Sequence, residues 1–462
     1  MEKERGTFRG SIGFVLAAAG SAVGLGNIWR FPYLAARDGG GLFLVVYLVL
    51  AVTFGFSLLL TEVSIGRKTK QSPLTAYGKL SKGWGWIGVL ACVVPFMILP
   101  YYCVIGGWVM KYLVAFATGG ALAAAEDGFF TGFITAQFEP IIYLVLFVLI
   151  CAVAVFRGVN KGIEAISKIL MPLLFIMVIG IAIFSLTIRH EGPNGKMITG
   201  LDGLKVYLIP NLEGIGLKQF FTVVMDALGQ LFYSLSVAMG IMVAYGSYLH
   251  DKEDLGKAVN RIEIFDTLVA FFAGIMIIPA VYVFMGTEGM SAGPSLMFIS
   301  LPKIFAAMGT AGTVVGTVFF AMVLFAAVTS GISLLEAVVS SFMDRFKLSR
   351  NSAAWIETVL AIVIGIVVCL GYNIWYFEYT LPNGSVAQIL DIMDYISNLI
   401  FMPVITIATC ILVGWVIKPE TIISEAEKNG EVIGRRGLYE VMVKFVSPAF
   451  VLILLLIALG IF

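Results

Sequence analysis

Between residues 20 and 27 the chain reads Gly-Ser-Ala-Val-Gly-Leu-Gly-Asn, inside an otherwise apolar run. Three glycines in seven positions each lower helix stability by about 1 kcal/mol relative to alanine, and they let a ligand approach the backbone closely. A helix unwound here presents free N–H groups at one new end and free C=O groups at the other. The N–H groups suit a carboxylate; the carbonyls and the Asn27 amide oxygen suit Na⁺. Gly20 and Gly24 also form a GxxxG pair, which serves close packing of membrane helices equally well. Asn27 and Arg30, polar and charged in the same run, tip the reading toward a site.

Arg30 needs water or a partner, because an isolated charge in a membrane span costs several kcal/mol. Asp391 and Asp394 are candidate partners, and snorkelling to the surface is the alternative. The carboxylates of Glu62, Asp266 and Glu336 also fall in apolar runs; each could accept from unwound backbone, balance a cation or carry a proton. Thr329-Ser330 and Ser234-Leu-Ser236 supply neutral oxygens of the kind a monovalent cation takes, whereas divalent sites recruit several carboxylates, and none cluster here. Such hydroxyls also bond to their own helix four residues back. The five cysteines (92, 103, 151, 369 and 410) match no metal spacing and read as small buried hydrophobes. Two histidines in polar connections leave no basis for a histidine metal site.

The elements that position these groups must cross a bilayer. Of 462 residues, 60% are hydrophobic and 13% charged, with a mean hydropathy of +0.98, too apolar for a water-bounded core. The sequence predicts an all-α polytopic membrane protein with eleven transmembrane helices, at 11–36, 41–66, 87–116, 139–156, 162–187, 220–249, 260–285, 312–343, 354–371, 387–417 and 438–461. The longer connections, 188–219 and 286–311, read as polar. Alternate connections carry twenty Lys and Arg against six, so the positive-inside rule places the N-terminus in the cytoplasm and, with eleven spans, the C-terminus outside. The first apolar run is too long for a cleavable signal peptide and leads straight into Asn27, Arg30 and Pro32. A net charge of +1 gives no reason to expect nucleic acid.

The first span (Gly20–Asn27) and the sixth (Gln230–Gly240) are interrupted in corresponding positions if the chain is two five-helix halves, 11–187 and 220–417. That arrangement points to a transporter site near the midplane. The expected organisation is a cytoplasmic segment 1–10, the first repeat 11–187, an extracellular loop 188–219, the second repeat 220–417, a cytoplasmic loop 418–437 and a last helix within 438–462.

Gly20-Ser-Ala-Val-Gly-Leu-Gly-Asn-Ile-Trp-Arg-Phe-Pro32 closely resembles the first-helix signature of the neurotransmitter:sodium symporters. The resemblance continues through Glu62-Val-Ser-Ile-Gly-Arg67, Tyr101-Tyr102, Gln230–Ser236, Thr329-Ser330 and Leu390-Asp-Ile-Met-Asp394, and so covers essentially the whole chain. The family is a type example of inverted repeats and broken helices, so a 5+5 inverted repeat with helices 1 and 6 unwound at mid-membrane is what the resemblance implies. It also implies two Na⁺ sites. The first uses the Ala22 carbonyl, Asn27, Ser234, Asp266 and the substrate's carboxylate. The second uses carbonyls of Gly20, Val23 and Ala326 with the hydroxyls of Thr329 and Ser330. An amino-acid substrate would place its carboxylate on the Leu25 and Gly26 amides and the Tyr102 hydroxyl. Its amino group would face Ala22, Tyr233, Ser234 and Ser330. The side chain would lie among Ser21, Val23, Ile98, Tyr102, Tyr233, Ser236, Met239, Ser330 and Leu334. Arg30 with Asp394 would form the outer gate, Arg5 with Asp344, near Phe8 and Tyr248, the inner gate, and Gly162 with Pro172 a hinge in the fifth helix.

The departures from the family pattern carry their own implications. Gly24 stands where monoamine carriers have an aspartate, so the cargo should bring its own carboxylate. Asp266 stands at a sodium-ligand position and Ala270 where chloride-dependent members have a serine, which implies chloride independence. Met239 is flexible and tolerates bulky partners, pointing to a hydrophobic or aromatic amino acid such as tyrosine, tryptophan or a leucine-like residue. Eleven spans suggest the bacterial branch, in the plasma (inner) membrane. No nucleophile–base pair, metal cluster or phosphate loop supports an enzyme. A substrate-gated ion channel would pass current without saturating in an amino acid, and an amino-acid sensor would bind without transport; the sequence leaves the oligomeric state open.

Overall fold

A computed structural model describes residues 6–192, 195–212, 215–290 and 294–461. Fourteen helices carry the architecture. The first span is split into α1 (Ser11–Ala22) and α2 (Gly26–Arg37), bent by 57° at the break. Then follow α3 (Gly41–Thr69), α4 (Gly85–Ala117), α5 (Glu139–Phe156) and α6 (Val159–Thr187). The sixth span divides into α7 (Leu217–Ser234) and α8 (Ile241–Ser247). After it come α9 (Leu255–Met285), α10 (Leu296–Ala307), α11 (Thr310–Phe346), α12 (Arg350–Leu370), α13 (Ile389–Val416) and α14 (Arg436–Ala458). Among the described residues nine of these are long and apolar enough to cross a membrane, or ten with the bent pair as one span. Neither α7 nor α8 qualifies alone: α7 has eighteen residues but carries Lys218, Asp226 and two glutamines, and α8 has only seven residues; the eleven expected spans count the pair as one.

Several helices begin earlier than the apolar pattern predicts, because polar residues cap them. The Asp254 side chain accepts from the Lys257 amide and Ser349 from the Ser352 amide, each satisfying an N–H that the first turn leaves free. The connection 188–219 holds a hairpin pairing Arg189–Glu191 with Met197–Thr199, and a short helix capped by Thr199 and Asp202. The connection at 286–311, expected to be polar, contains apolar α10. Its anchor is Phe298, whose carbonyl accepts from the Tyr112 hydroxyl at 2.6 Å and whose ring stacks on Phe130 at 5.0 Å. All five cysteines are buried and free.

Helices α4 and α11 pack along each other at the centre. The apolar stretch of α11 is 78% buried and that of α14 only 28%, so α11 is an inner wall and α14 a peripheral helix. Between α3 and α8 the backbones touch: a Cβ on Gly66 would lie 2.0 Å from the Val243 carbonyl oxygen, and one on Gly246 2.3 Å from that of Val63. Small residues permit this approach in membranes, where close packing replaces the hydrophobic driving force. Gly66→Val therefore should destabilise the protein by about 1–3 kcal/mol, read as a lower unfolding midpoint in detergent. Gly10→Ala, where an added Cβ meets nothing within 4 Å, should leave the midpoint unmoved; equal midpoints for both variants would contradict the α3–α8 contact.

Candidate functional site

The two broken spans face each other. Helix α1 stops at Ala22, and Val23 is extended (φ −74°, ψ 93°) before α2 starts at Gly26. Helix α7 stops at Ser234, and the chain passes through left-handed conformations at Ser236, Ala238 and Gly240 (φ 53°, 61° and 70°) before α8. Each break is braced by side chains. Asn27 Oδ1 accepts from the Gly24 amide at 3.1 Å, Gln230 Nε2 donates to the Gly26 carbonyl at 3.1 Å, and Glu62 Oε1 accepts from the Ala238 amide at 2.5 Å. Gly26 is required here: a Cβ would sit 2.6 Å from the Tyr233 ring.

A cavity of about 40 Å³ lies between the breaks. Of the predicted substrate residues, Ser21, Ala22, Leu25, Gly26, Ile98, Tyr102, Tyr233, Ser234, Ser236, Met239, Ser330 and Leu334 line it; Val23 does not, and Gly24, Asn27 and Ile241 do. Its polar character is selective. Ser236 donates to the Ser21 carbonyl at 2.9 Å and Ser21 to the Ser236 hydroxyl at 3.1 Å, so these two satisfy one another. The buried Tyr102 hydroxyl has no partner, and among the described residues no backbone carbonyl accepts from the Leu25 or Gly26 amides. Three free donors thus meet in one cavity at the N-terminal end of α2, where a helix favours an anion. Gly24 belongs to the same wall: a Cβ there would lie 3.2 Å from Ser330 Oγ and 3.7 Å from the Tyr102 hydroxyl.

Beside the cavity, Asn27 and Ser234 of the predicted first sodium set converge on Asp266, which is fully buried. Its Oδ1 accepts from Asn27 Nδ2 at 2.8 Å and Ser234 Oγ at 2.9 Å, and its Oδ2 from Ser234 Oγ at 3.1 Å and the Tyr47 hydroxyl at 3.3 Å. Sequence reasoning missed Tyr47, a lone tyrosine in an apolar run with no pattern to mark it. In the second set, Ser330 Oγ reaches the carbonyls of Gly20 (3.3 Å) and Ser21 (3.2 Å) across to α1. Thr329 Oγ1 bonds back to Phe325 and Ala326 carbonyls at 3.1 Å each. Gly20 packs against Thr329, its added Cβ 3.1 Å from the threonine Cβ. No contact of Val23 with this set is seen among the described residues. Apart from Asn27, which turns its Nδ2 to Asp266, both sets offer oxygens, the ligands a hard cation takes, and the described residues hold no group of three or more His, Cys, Asp or Glu fit for a metal.

The outer pair is not joined. Asp394 Oδ1 accepts from the Tyr101 hydroxyl at 3.0 Å and Asn398 Nδ2 at 2.6 Å, while Arg30 lies 5.9 Å over the Tyr233 ring. A cavity of about 200 Å³ lined by Arg30, Asp226 and Asn398 opens beside them. Asp391, the other candidate partner, caps the Gln388 amide at 3.0 Å. On the opposite side Arg5 lies outside the described residues. Phe8 is buried against Tyr245 and Tyr248, its amide donating to the Tyr248 carbonyl at 3.3 Å, and Asp344 accepts from the Ser72 amide at 2.6 Å. Glu336 supplies a contact the sequence left open: it accepts from Arg350 at 2.7 and 2.9 Å and from the Tyr248 hydroxyl at 2.6 Å. Gly162 sits in a wide π-helical turn, Val159–Glu164, and Pro172 lies inside the helix beyond it. Adjacent Glu164 holds the Arg9 amide at 2.9 Å.

A broken membrane helix and a second helix break facing it across a cavity, with free anion donors and buried oxygen clusters around it, are the arrangement of ion-coupled membrane transporters. The description "Sodium:neurotransmitter symporter family" matches residues 5–125 and 131–462. An uncharacterized sodium-dependent transporter of Bacillus subtilis, YhdH, is 32% identical over 460 residues, covering 97% of both chains. A second such transporter, from Haemophilus influenzae, is 31% identical over 434 residues, covering 90% of this chain and 91% of the other. The crystal structure of MhsT in complex with L-phenylalanine superimposes with a TM-score of 0.85 at 34% identity, covering 98% of this chain and all of that one. The chain belongs to the sodium:neurotransmitter symporter family; it is a sodium-dependent integral membrane transporter and not an enzyme.

The convergence on Asp266 sets a quantitative expectation. Asp266→Asn keeps the shape and removes the charge, and should raise the Na⁺ concentration for half-maximal thermal stabilisation at least tenfold, about 1.4 kcal/mol. An unchanged Na⁺ midpoint would show that no cation is held by this carboxylate.

Proposed function

We propose that this chain is a Na⁺-coupled amino-acid symporter that takes a hydrophobic or aromatic amino acid by alternating access, independently of chloride. The observation that carries the reading is the trio of unpartnered donors, the Leu25 and Gly26 amides and the Tyr102 hydroxyl, around one cavity. A substrate carboxylate satisfies all three. Its second oxygen reaches the cation held by Ala22, Asn27, Ser234 and Asp266. The second Na⁺ lies among Gly20, Val23, Ala326, Thr329 and Ser330 and ties α1 to α11. The amino group faces the C-terminal carbonyls of α1 and α7, where a helix end favours positive charge.

For side-chain choice, Ser21 and Ser236 spend their hydroxyls on one another, so the remaining wall is Ile98, Met239, Ile241 and Leu334. That wall suits an apolar or aromatic group, in keeping with the L-phenylalanine bound to MhsT. An aspartate at position 24 would project between Ser330 and Tyr102 and compete with the substrate's own carboxylate; glycine leaves that place to the cargo. Chloride independence follows from the fixed charge of Asp266, which the Tyr47 hydroxyl meets directly. The 5+5 repeat, the eleven spans, the inner-membrane location and a cytoplasmic N-terminus complete the reading. The separated Arg30 and Asp394 would close over bound substrate while the Glu336, Arg350 and Tyr248 cluster holds the inner side.

Screening the twenty amino acids by thermal stabilisation in Na⁺ against K⁺ tests the substrate class. Phenylalanine, tyrosine, tryptophan or leucine should stabilise in Na⁺ only; a hit independent of Na⁺, or none, would contradict the reading. In proteoliposomes, replacing chloride by gluconate should leave uptake of the best hit unchanged, and loss of uptake would overturn chloride independence.

A further inference from the structure

Helix α12 carries Glu357 about two turns in from its start at Arg350. The side chain is fully buried, and neither carboxylate oxygen has a hydrogen-bond partner. The other buried carboxylates differ. Glu62 holds the Ala238 amide, Asp266 has three side-chain donors, Glu164 has the Arg9 amide and Lys168, and Glu336 has Arg350. Glu425 likewise has Arg67, Glu263 has Arg435 and Asp38 has Arg37.

The groups facing Glu357 from the packed elements are weakly polar. From α4, Cys92 and Cys103 lie within electrostatic reach of it, and from α5 Cys151 lies beside Cys103. From α11, Ser341 is engaged with Cys92, and the charges of Glu336 on α11 and Arg350 at the start of α12 are paired with each other. An ionised carboxylate with neither donor nor cation in such a place neutralises by taking up a proton.

We propose that Glu357 is a proton-binding site of the transport cycle, distinct from the sodium-site carboxylate Asp266. The proposal rests on the alternating-access reading. In the arrangement described here the neutral acid is stable among α4, α11 and α12. Arg350, at the first turn of α12, is tied to Glu336 of α11 and through it to Tyr248. Opening the inner side must part those ties and separate the ends of α11 and α12 around Glu357. Water then reaches the carboxyl, its O–H bond breaks heterolytically, the electron pair stays on oxygen and the proton leaves to water. The return to the closed arrangement takes a proton up again.

Infrared difference spectroscopy on the purified full-length chain tests this without relying on transport. Wild type in Na⁺ at neutral pH should show the carbonyl stretch of a protonated carboxylic acid that shifts in D₂O and is lost in Glu357→Gln. Loss of a carboxylate band instead, or no difference between the two proteins, would overturn the proton site and leave the transport reading standing. If the glutamine variant fails to fold, Glu357→Asp should shift the same band in frequency, and an unshifted band counts against the assignment. Exchange of Na⁺ for K⁺ should diminish the wild-type band at fixed pH; a band indifferent to the cation would overturn its part in the cycle. Transport of the best-stabilising amino acid could then fail separately, as the mark against the symport reading alone.

Discussion

A helix broken inside a membrane protein must find partners for every N–H and C=O it releases, since no solvent is there to take them. That constraint organises this molecule. At the first break Asn27 and Gln230 hold the Gly24 amide and Gly26 carbonyl; at the second Glu62 holds the Ala238 amide. Ser330 comes across from α11 to the Gly20 and Ser21 carbonyls. What the protein does not satisfy itself, the Leu25 and Gly26 amides with the Tyr102 hydroxyl, it leaves facing a cavity. The breaks are stable because four helices brace them, and useful because the bracing is incomplete.

Asp266 links the breaks to the wider bundle. Its carboxylate accepts from α2 through Asn27, from α3 through Tyr47 and from α7 through Ser234. Moving any of these helices changes the surroundings of one buried charge. The opposite end of the site is held by charges that are paired: Glu336 with Arg350, and Arg67 with Glu425 at 2.8 Å. Breaking a buried pair is costly while its groups remain buried, so opening there must come with hydration. At the other end no ion pair joins Arg30 and Asp394 among the described residues, and a cavity of about 200 Å³ lies beside Arg30.

The sequence made the site largely legible because its chemistry is written in local motifs. The glycine-rich break, Ser234-Leu-Ser236 and Thr329-Ser330 are each a few residues long, and together they supply most of the cavity wall. Contacts between distant positions were harder to read. Nothing near Tyr47 announces that it faces a carboxylate 219 residues on, and Arg350 reads as one more cytoplasmic charge until the fold sets it on Glu336. The connection 286–311 hid α10, whose burial depends on Tyr112 and Phe130 from other elements. Val23 was expected in the side-chain pocket, yet it does not line the cavity. Arg30 and Asp394, expected as a pair, stand apart here: Tyr101 and Asn398 both hold Asp394 Oδ1, and Arg30 lies over the Tyr233 ring.

If the substrate carboxylate and a cation share one site, each must tighten the other's binding by the same factor. Titrating Na⁺ into the purified protein with and without saturating L-phenylalanine, and L-phenylalanine with and without saturating Na⁺, measures both factors. The account predicts two equal factors of at least tenfold, about 1.4 kcal/mol of coupling. Na⁺ and amino-acid affinities that ignore one another would contradict a shared site between the broken helices.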